Sequence, residues 1–198
     1  MCANEDIRFE TARGSMISPY ISDIIKLSDT FYSGYPYLYD GTQCDEEFYL
    51  KLYGRQADGF AVMAFDGDKA VGYTIGGPMK HINVGKEALI EHGHNINNVF
   101  VLGEFVLLEP YRGKGIGSQM IEKLSNFAKG LGYQEMCLMQ IDEASVDAPK
   151  PPNYQSQDSF WLKNGFRPQK HMTFNIDWRN VHEKQEKPHR MYYWTKRL

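Results

Sequence analysis

Cysteine is scarce in this 198-residue chain, which holds only Cys2, Cys44 and Cys137. Three thiols so spaced build neither a disulfide framework nor a zinc site, so the expected setting is the reducing cytoplasm. No apolar run approaches the roughly 20 residues of a membrane span. Met1 to Asp6 lack the basic and apolar regions of a secretory leader. Net charge is only −3, from 22 basic and 25 acidic residues, and no basic run stands out. Neither a nucleic acid nor a membrane is therefore expected as a partner. His92-Gly93-His94 offers two imidazoles with no evident third ligand, so a solvated loop is expected there and no metal. Repeats, linkers and low-complexity tracts are also missing, and one domain over 1–198 is the expectation. Its 42% hydrophobic content suffices for a packed core.

The patterning mixes helices and strands. Ile7 to Ala12 reads as a strand. Ser18-Pro19 reads as an N-cap and first helical residue, followed by Ile21, Ile24, Ile25, Ser28 and Phe31 on one face. A tyrosine-rich loop, Tyr32 to Asp40, precedes a short helix over Asp45 to Tyr53. Asp66-Gly67 marks a hairpin between strands Phe60 to Phe65 and Lys69 to Ile75. Residues 76 to 98 read as a loop with a helical turn at Lys86 to Glu91. Val99 to Leu108 and Gln134 to Ile141 read as strands joined by a helix from Ser118 to Lys129, a crossover that is right-handed if they run parallel. Three prolines make Ala148 to Asn153 a loop. A short helix over Asp158 to Asn164 ends at Gly165, and strands follow at Met172 to Ile176 and Arg190 to Thr195. The sum is an α/β sandwich on a mixed sheet.

The most informative stretch is Arg112-Gly113-Lys114-Gly115-Ile116-Gly117-Ser118, between the central strand and its helix. Alternate glycines bare backbone N–H groups where a helix begins, and the helix dipole favours an anion there. Arg112 and Lys114 add positive charge. A Walker loop is excluded, because Gly115 follows Lys114 where a Ser or Thr is needed. A dinucleotide turn needs GxGxxG directly after the strand. Here the spacing is GxGxG after four intervening residues, although Asp142 stands where a ribose-binding acid would.

The third match is better. Glu109 to Gly117 resembles the pyrophosphate-binding segment of the GNAT family of acyl-CoA-dependent N-acetyltransferases, with Arg112, Gly115 and Gly117 on its (Arg/Gln)-x-x-Gly-x-(Gly/Ala) core. Ser159 to Phe166 resembles the family's later segment, an aromatic pair followed by Gly-Phe. The likeness covers Phe60 to Phe174 well. Tyr35 to Gly41 and Met191 to Leu198 are similar to a bacterial subgroup of the family.

The resemblance implies a mostly antiparallel central sheet with helices on both faces and one splayed strand pair. It implies acetyl-CoA as co-substrate, held by Arg112, Gly113, Lys114, Gly115, Ile116, Gly117 and Ser118, with the backbone of Val106, Leu107 and Leu108 on the pantetheine. The acceptor would be a primary amine on a small molecule, peptide or protein, attacked directly, by a monomer or homodimer. Glu104 is the only charged residue between Val99 and Leu108, and an acid on a strand that wants burial is costly unless partnered or functional. Family acids near this place activate the amine, so Glu104 is the candidate base; a salt bridge or a solvent-facing edge are its structural alternatives. The family's usual tyrosine, a proton donor, is Trp161 here, whose indole donates a hydrogen bond but not a proton. Tyr154 is the substitute candidate, unless it merely packs on Pro151-Pro152. Tyr35, Tyr37 and Tyr39 line the acceptor pocket or else pack as a connector. Cys137 is expected to be an inert strand cysteine. Two other readings stay open: a non-catalytic acyl-CoA sensor on the same fold, and a nucleotide- or dinucleotide-binding protein.

Overall fold

The computed structural model describes residues 7–41 and 46–198. Met1 to Asp6, Cys2, Cys44 and the expected helix start at Asp45 lie outside the described residues. In chain order the elements are β1 (Arg8–Arg13), α1 (Ile21–Tyr32), α2 (Glu46–Tyr49), β2 (Phe60–Asp66), β3 (Lys69–Pro78), α3 (Lys86–Glu91), β4 (Val99–Leu107), α4 (Ile116–Gly130), β5 (Glu135–Ile141), α5 (Asp158–Lys163), β6 (Arg167–Arg179) and β7 (Glu186–Arg197).

Among the described residues seven strands form one sheet, in the order β1-β2-β3-β4-β5-β7-β6. Every pairing is antiparallel except β4 with β5. Strand alternation sends Ala61, Met63 and Phe65 of β2 to one face, where α1, α2 and α3 pack. Phe60, Val62 and Ala64 go to the other, under α4 and α5. The face of α4 is Met120, Ile121, Leu124 and Ala128, all at most 1% exposed. Burying each of the three larger side chains stabilises the fold by roughly 1.5–3 kcal/mol. The helix ends on Gly132, at φ +87°, where Tyr133 N reaches back to Ala128 O.

Two features differ from the sequence reading. Ser18 caps no helix: Gly14–Tyr20 forms 3-10 turns with Pro19 inside them, and α1 begins at Ile21, whose N–H bonds to Ser18 O. The fixed φ of proline suits a 3-10 turn as well as a first helical turn. The final hairpin is also much longer than its apolar runs, because β6 lies at the sheet edge and exposes charged side chains along its length.

Two irregularities in β4 position the site. Parallel pairing with β5 covers only Val99–Leu102 against Glu135–Leu138; beyond it the strands part, β4 staying on β3 and β5 on β7. At the same place the register with β3 slips, so that Ile75 faces Glu104 while Gly76 faces Leu102, and Gly103 is the extra residue of a bulge. Before the bulge Val99 and Val101 join the α1-side core; beyond it Val106 does. The bulge therefore turns Glu104 to the α1 side, where unbroken alternation would have placed Gly103 and Phe105.

Candidate active site

The glycine turn follows a short 3-10 segment, Glu109–Tyr111, anchored where Tyr111 Oη donates to Asp66 Oδ2 at 2.7 Å. Gly113 and Gly115 have φ of +74° and +82°, the left-handed region that side chains rarely adopt. Gly117 is needed for another reason: a Cβ there would lie 3.0 Å from Phe160 and 3.1 Å from Phe105. Among the described residues the amides of Gly113 to Ser118 donate to no carbonyl or side chain. Of these residues Gly113, Gly115, Gly117 and Ser118 line a cleft of about 370 Å³, shared with Phe31, Phe105, Arg112 and Lys163. Arg112 Nε donates to Leu107 O at 2.9 Å, and its guanidinium stands 5.9 Å from the Phe31 ring. Lys114 lies over the Tyr111 ring, and the Ile116 side chain is buried in the α4 core.

From the turn the cleft leads to the gap between the parted strands. Leu108 N donates to Val71 O at 2.9 Å, and Val106 pairs with Tyr73, so these two residues are engaged with β3. Alternation turns Phe105 and Leu107 to the open edge, where Phe105 N has the Tyr32 hydroxyl at 3.5 Å. A space of about 20 Å³ in the gap is walled by Phe31, Tyr32, Phe105, Leu138, Gln140 and Trp161 among others. Gln140 Nε2 donates to Asp158 Oδ1, leaving the buried Gln140 Oε1 without a partner among the described residues. The buried indole N–H of Trp161 likewise has none among the described residues.

Glu104 forms no salt bridge among the described residues and does not lie at a solvated edge. Its Oε2 accepts a hydrogen bond from Tyr73 on β3, and another from Tyr49 on α2 at 3.2 Å. Tyr49 Oη also stands 3.1 Å from Ser28 Oγ on α1. Burial pushes the carboxyl above the ordinary glutamate range, the hydroxyls of Tyr73, Tyr49 and Ser28 pull it back down, and the charge of Asp29 raises it again. Both tyrosine bonds fall on Oε2, and the Ser28 hydroxyl also hydrogen-bonds the carboxyl.

A larger groove of about 1330 Å³ joins this region, lined by Tyr35, Tyr37, Arg112, Gln140, Tyr154 and Gln157 among others. The Tyr35 and Tyr154 rings meet edge to face at 4.8 Å, and so do Tyr32 and Tyr37 at 4.9 Å. The Tyr154 hydroxyl donates to Glu143 Oε1 at 2.8 Å; burial and that carboxylate push its pKa up. Tyr39 is not among the lining residues: it bridges to Asn180 and packs beside Ile141, Trp178 and Met191. The loop carrying these tyrosines is tied to the β6–β7 hairpin by Trp178 Nε1 to Tyr37 O at 3.0 Å and by the Arg179–Asp40 ion pair at 2.7 Å. Cys137 is fully buried on β5, with burial as the main cause of a raised thiol pKa. His94 pairs with Glu135 at 2.7 Å, and His92 with the Ala88 carbonyl.

Several lining residues escaped the sequence reading. Phe31 looked like one more apolar residue on α1, and Gln140 and Gln157 carry no charge or motif. Lys163 sits in the last turn of α5, where a cation is unremarkable; only the fold brings it to the glycine cleft.

A search of curated proteins returns no match. Solved structures share the fold at low identity. PaiA N-acetyltransferase from Thermoplasma acidophilum, solved with coenzyme A, is 16% identical, with 96% of this chain and 99% of that one covered and a TM-score of 0.59. Ribosomal-protein-alanine N-acetyltransferase from Brucella melitensis is 15% identical over 96% and 99% of the chains, at a TM-score of 0.62. yncA from Salmonella typhimurium, solved with its cofactor acetyl-CoA, is 11% identical over 98% and 94%, at 0.61. Residues 23–149 match the model of the acetyltransferase (GNAT) family. With its parted strands, its bare amides and a family match over more than half its length, the chain belongs to the GNAT acetyltransferases and is an acyltransferase that uses acetyl-CoA.

Proposed function

We propose that this protein moves the acetyl group of acetyl-CoA onto a primary amine by direct attack, with Glu104 as the base. The observation that carries this reading is the coincidence, at residues 102–104, of the strand parting and the bulge that presents Glu104. The pyrophosphate binds the amides of Gly113 to Ser118 beside Arg112, with Lys163 close enough to balance further phosphate charge. The pantetheine arm lies along the open edge of β4, where the amides facing the gap meet the thioester oxygen as it gains charge.

An amine is protonated at neutral pH and must lose a proton before it attacks. Glu104 takes that proton on Oε1, directly or through one water. The nitrogen adds to the carbonyl carbon; as the tetrahedral centre collapses and the C–S bond breaks, the second proton of the nitrogen passes to the departing sulfur, directly or through water, leaving a neutral amide and the CoA thiol. The departing sulfur meets hydrogen-bond donors, not a strong acid: the Trp161 indole, and the Tyr154 phenol once it exchanges Glu143 for the thiolate. Tyr35 and Tyr37 wall the acceptor groove, which opens widely enough for a small amine or a peptide N-terminus.

The test is thiol release from acetyl-CoA across a panel of amines, peptides and proteins, with product mass confirming one added acetyl group on nitrogen. Glu104→Gln is expected to cut turnover at least 100-fold while keeping CoA affinity, the usual scale of a lost general base. Unchanged turnover in that variant removes Glu104 from the reaction. Tyr154→Phe is expected to lower kcat about 10-fold; an unaltered kcat assigns the sulfur to Trp161 alone.

A further inference from the structure

Both tyrosine hydroxyls that reach Glu104 bond the same carboxylate oxygen. Tyr73, fully buried on β3, donates to Oε2, and Tyr49, buried on α2, donates to the same oxygen at 3.2 Å. Ser28 of α1 lies 3.1 Å from the Tyr49 hydroxyl and adds a hydrogen bond to the carboxyl. The two tyrosines lie 31 and 55 residues from Glu104 in the chain, on separate elements. A buried tyrosine needs only its ring for packing and one partner for its hydroxyl, and two hydroxyls from separate elements converging on one carboxylate oxygen are more than packing requires.

We propose that Tyr73 and Tyr49 form a two-phenol clamp on Glu104 Oε2, which leaves Oε1 as the oxygen that receives the amine's proton and favours the carboxylate over the acid. The inference rests on Glu104 being the base. Both phenols are positioning residues: they touch the base and not the substrate.

The physical need for such a clamp is visible in the surroundings. Facing Glu104 are Asp29, Ser28 and Tyr32 from α1, Tyr49 from α2 and Tyr73 from β3, with Tyr53 beyond Tyr32. No cation is in that set. Asp29 and the buried position both favour the protonated acid, in which state Glu104 could take nothing. Hydrogen bonds donated to the ionised form are the one opposing influence, and Tyr73 supplies the foremost of them. The same bonds prevent the carboxylate from rotating, since turning Oε1 inward would break both.

The experiment is a pH titration of the Glu104 side-chain carboxyl by 13C NMR in selectively labelled protein, its resonance assigned by its loss in Glu104→Gln. It needs no acceptor. Tyr73→Phe keeps the ring and is expected to move the midpoint upward by about one pH unit or more, the scale of one hydrogen bond to a charged acceptor. Tyr49→Phe is expected to move it the same way by less. Should Tyr73→Phe not fold, Tyr49→Phe carries the test alone. A midpoint unmoved or lowered in the folded variants overturns the clamp. With an active acceptor in hand, the acidic limb of kcat/KM should move with the NMR midpoint, and Tyr73→Phe should regain most of its rate at high pH. A merely structural role would lower the rate at every pH and leave the limb in place, which also overturns the proposal. Failure of the base reading looks different: Glu104→Gln then keeps its turnover whatever the phenols do to the midpoint, and the clamp loses its part in the reaction.

Discussion

Gly103 stands so close to Tyr53 that a Cβ at residue 103 would lie 1.9 Å from the Tyr53 hydroxyl. The glycine makes the bulge, and the bulge aims Glu104, so one hydroxyl on the α1 side, the side that Glu104 faces, constrains the site. Gly103→Ala is therefore expected to destabilise the fold by about 1–3 kcal/mol, as overpacking does, and to lower acetyl transfer by displacing Glu104. Thermal unfolding and thiol release measure the two effects. Removing the hydroxyl takes away the closest contact and leaves the ring carbon Cζ at 2.9 Å, so Gly103→Ala with Tyr53→Phe should lose less stability than the two single changes added together. Strict additivity would mean that the contact has no bearing on the bulge.

The glycines of the phosphate turn differ from one another in what they demand. Gly115, at φ +82°, has open space before it. An alanine there clashes with nothing and is disfavoured only by its backbone, at about 1–2 kcal/mol. Relaxing that strain rotates the amides out of their shared direction, and Gly115→Ala is expected to weaken CoA binding at least 10-fold by calorimetry. Gly130 is the control. It also has open space before it but lies inside α4 without a positive φ. Gly130→Ala should leave CoA affinity unchanged and raise stability by up to about 1 kcal/mol.

Local chemistry wrote the parts of this protein that were legible in its residues. The glycine turn, the Asp66-Gly67 hairpin and the apolar stripe of α4 each depend on neighbours within a few positions. The long final hairpin was not legible, because an edge strand exposes half of its side chains and shows no sustained apolar run. The bulge was hidden for a related reason: a glycine inside Val99 to Leu107 says nothing about which face the next residue takes. Glu104 could be singled out as a lone acid on an apolar strand. Its partners could not, since Tyr73, Tyr49 and Ser28 reach it from three elements that only the fold assembles.

The ionisation of Glu104 ties activity to stability with opposite signs. A base works only when ionised, so kcat/KM should rise with pH through a midpoint above the ordinary glutamate range. For stability the sign follows from proton counts. Above the unfolded-state pKa the native state holds a proton that the unfolded chain has lost, so stability falls as pH rises through the native value. Each unit by which the native pKa exceeds the unfolded one removes about 1.4 kcal/mol at higher pH. Glu104→Gln lacks that penalty and still offers an oxygen to both phenols. It is expected to be inactive yet to melt at or above the wild-type temperature at pH 8, with little difference at pH 4. A variant that melts well below wild type at pH 8 would show that the ionised carboxylate stabilises this core.

Cys137 supplies the sharpest distinction between direct attack and an acyl-enzyme. A thiol accepts an acyl group only as thiolate and only where the thioester can reach it. Cys137 is fully buried in the α1-side core of β5, and burial together with Glu135 raises its pKa. It pairs with Val101, in the part of β5 that remains joined to β4, before the strands part. The native protein should therefore leave Cys137 unmodified by iodoacetamide, read by peptide mass spectrometry, while the unfolded chain is alkylated there. Cys137→Ala should keep turnover within about twofold at a stability cost of roughly 1 kcal/mol, near that of removing one small buried group. Initial rates with both substrates varied should give intersecting reciprocal plots, because both must be bound before the acetyl group moves. Parallel plots, with acetyl-Cys137 trapped in the absence of acceptor, would require the strands to open far enough to expose that thiol, and direct attack would fall.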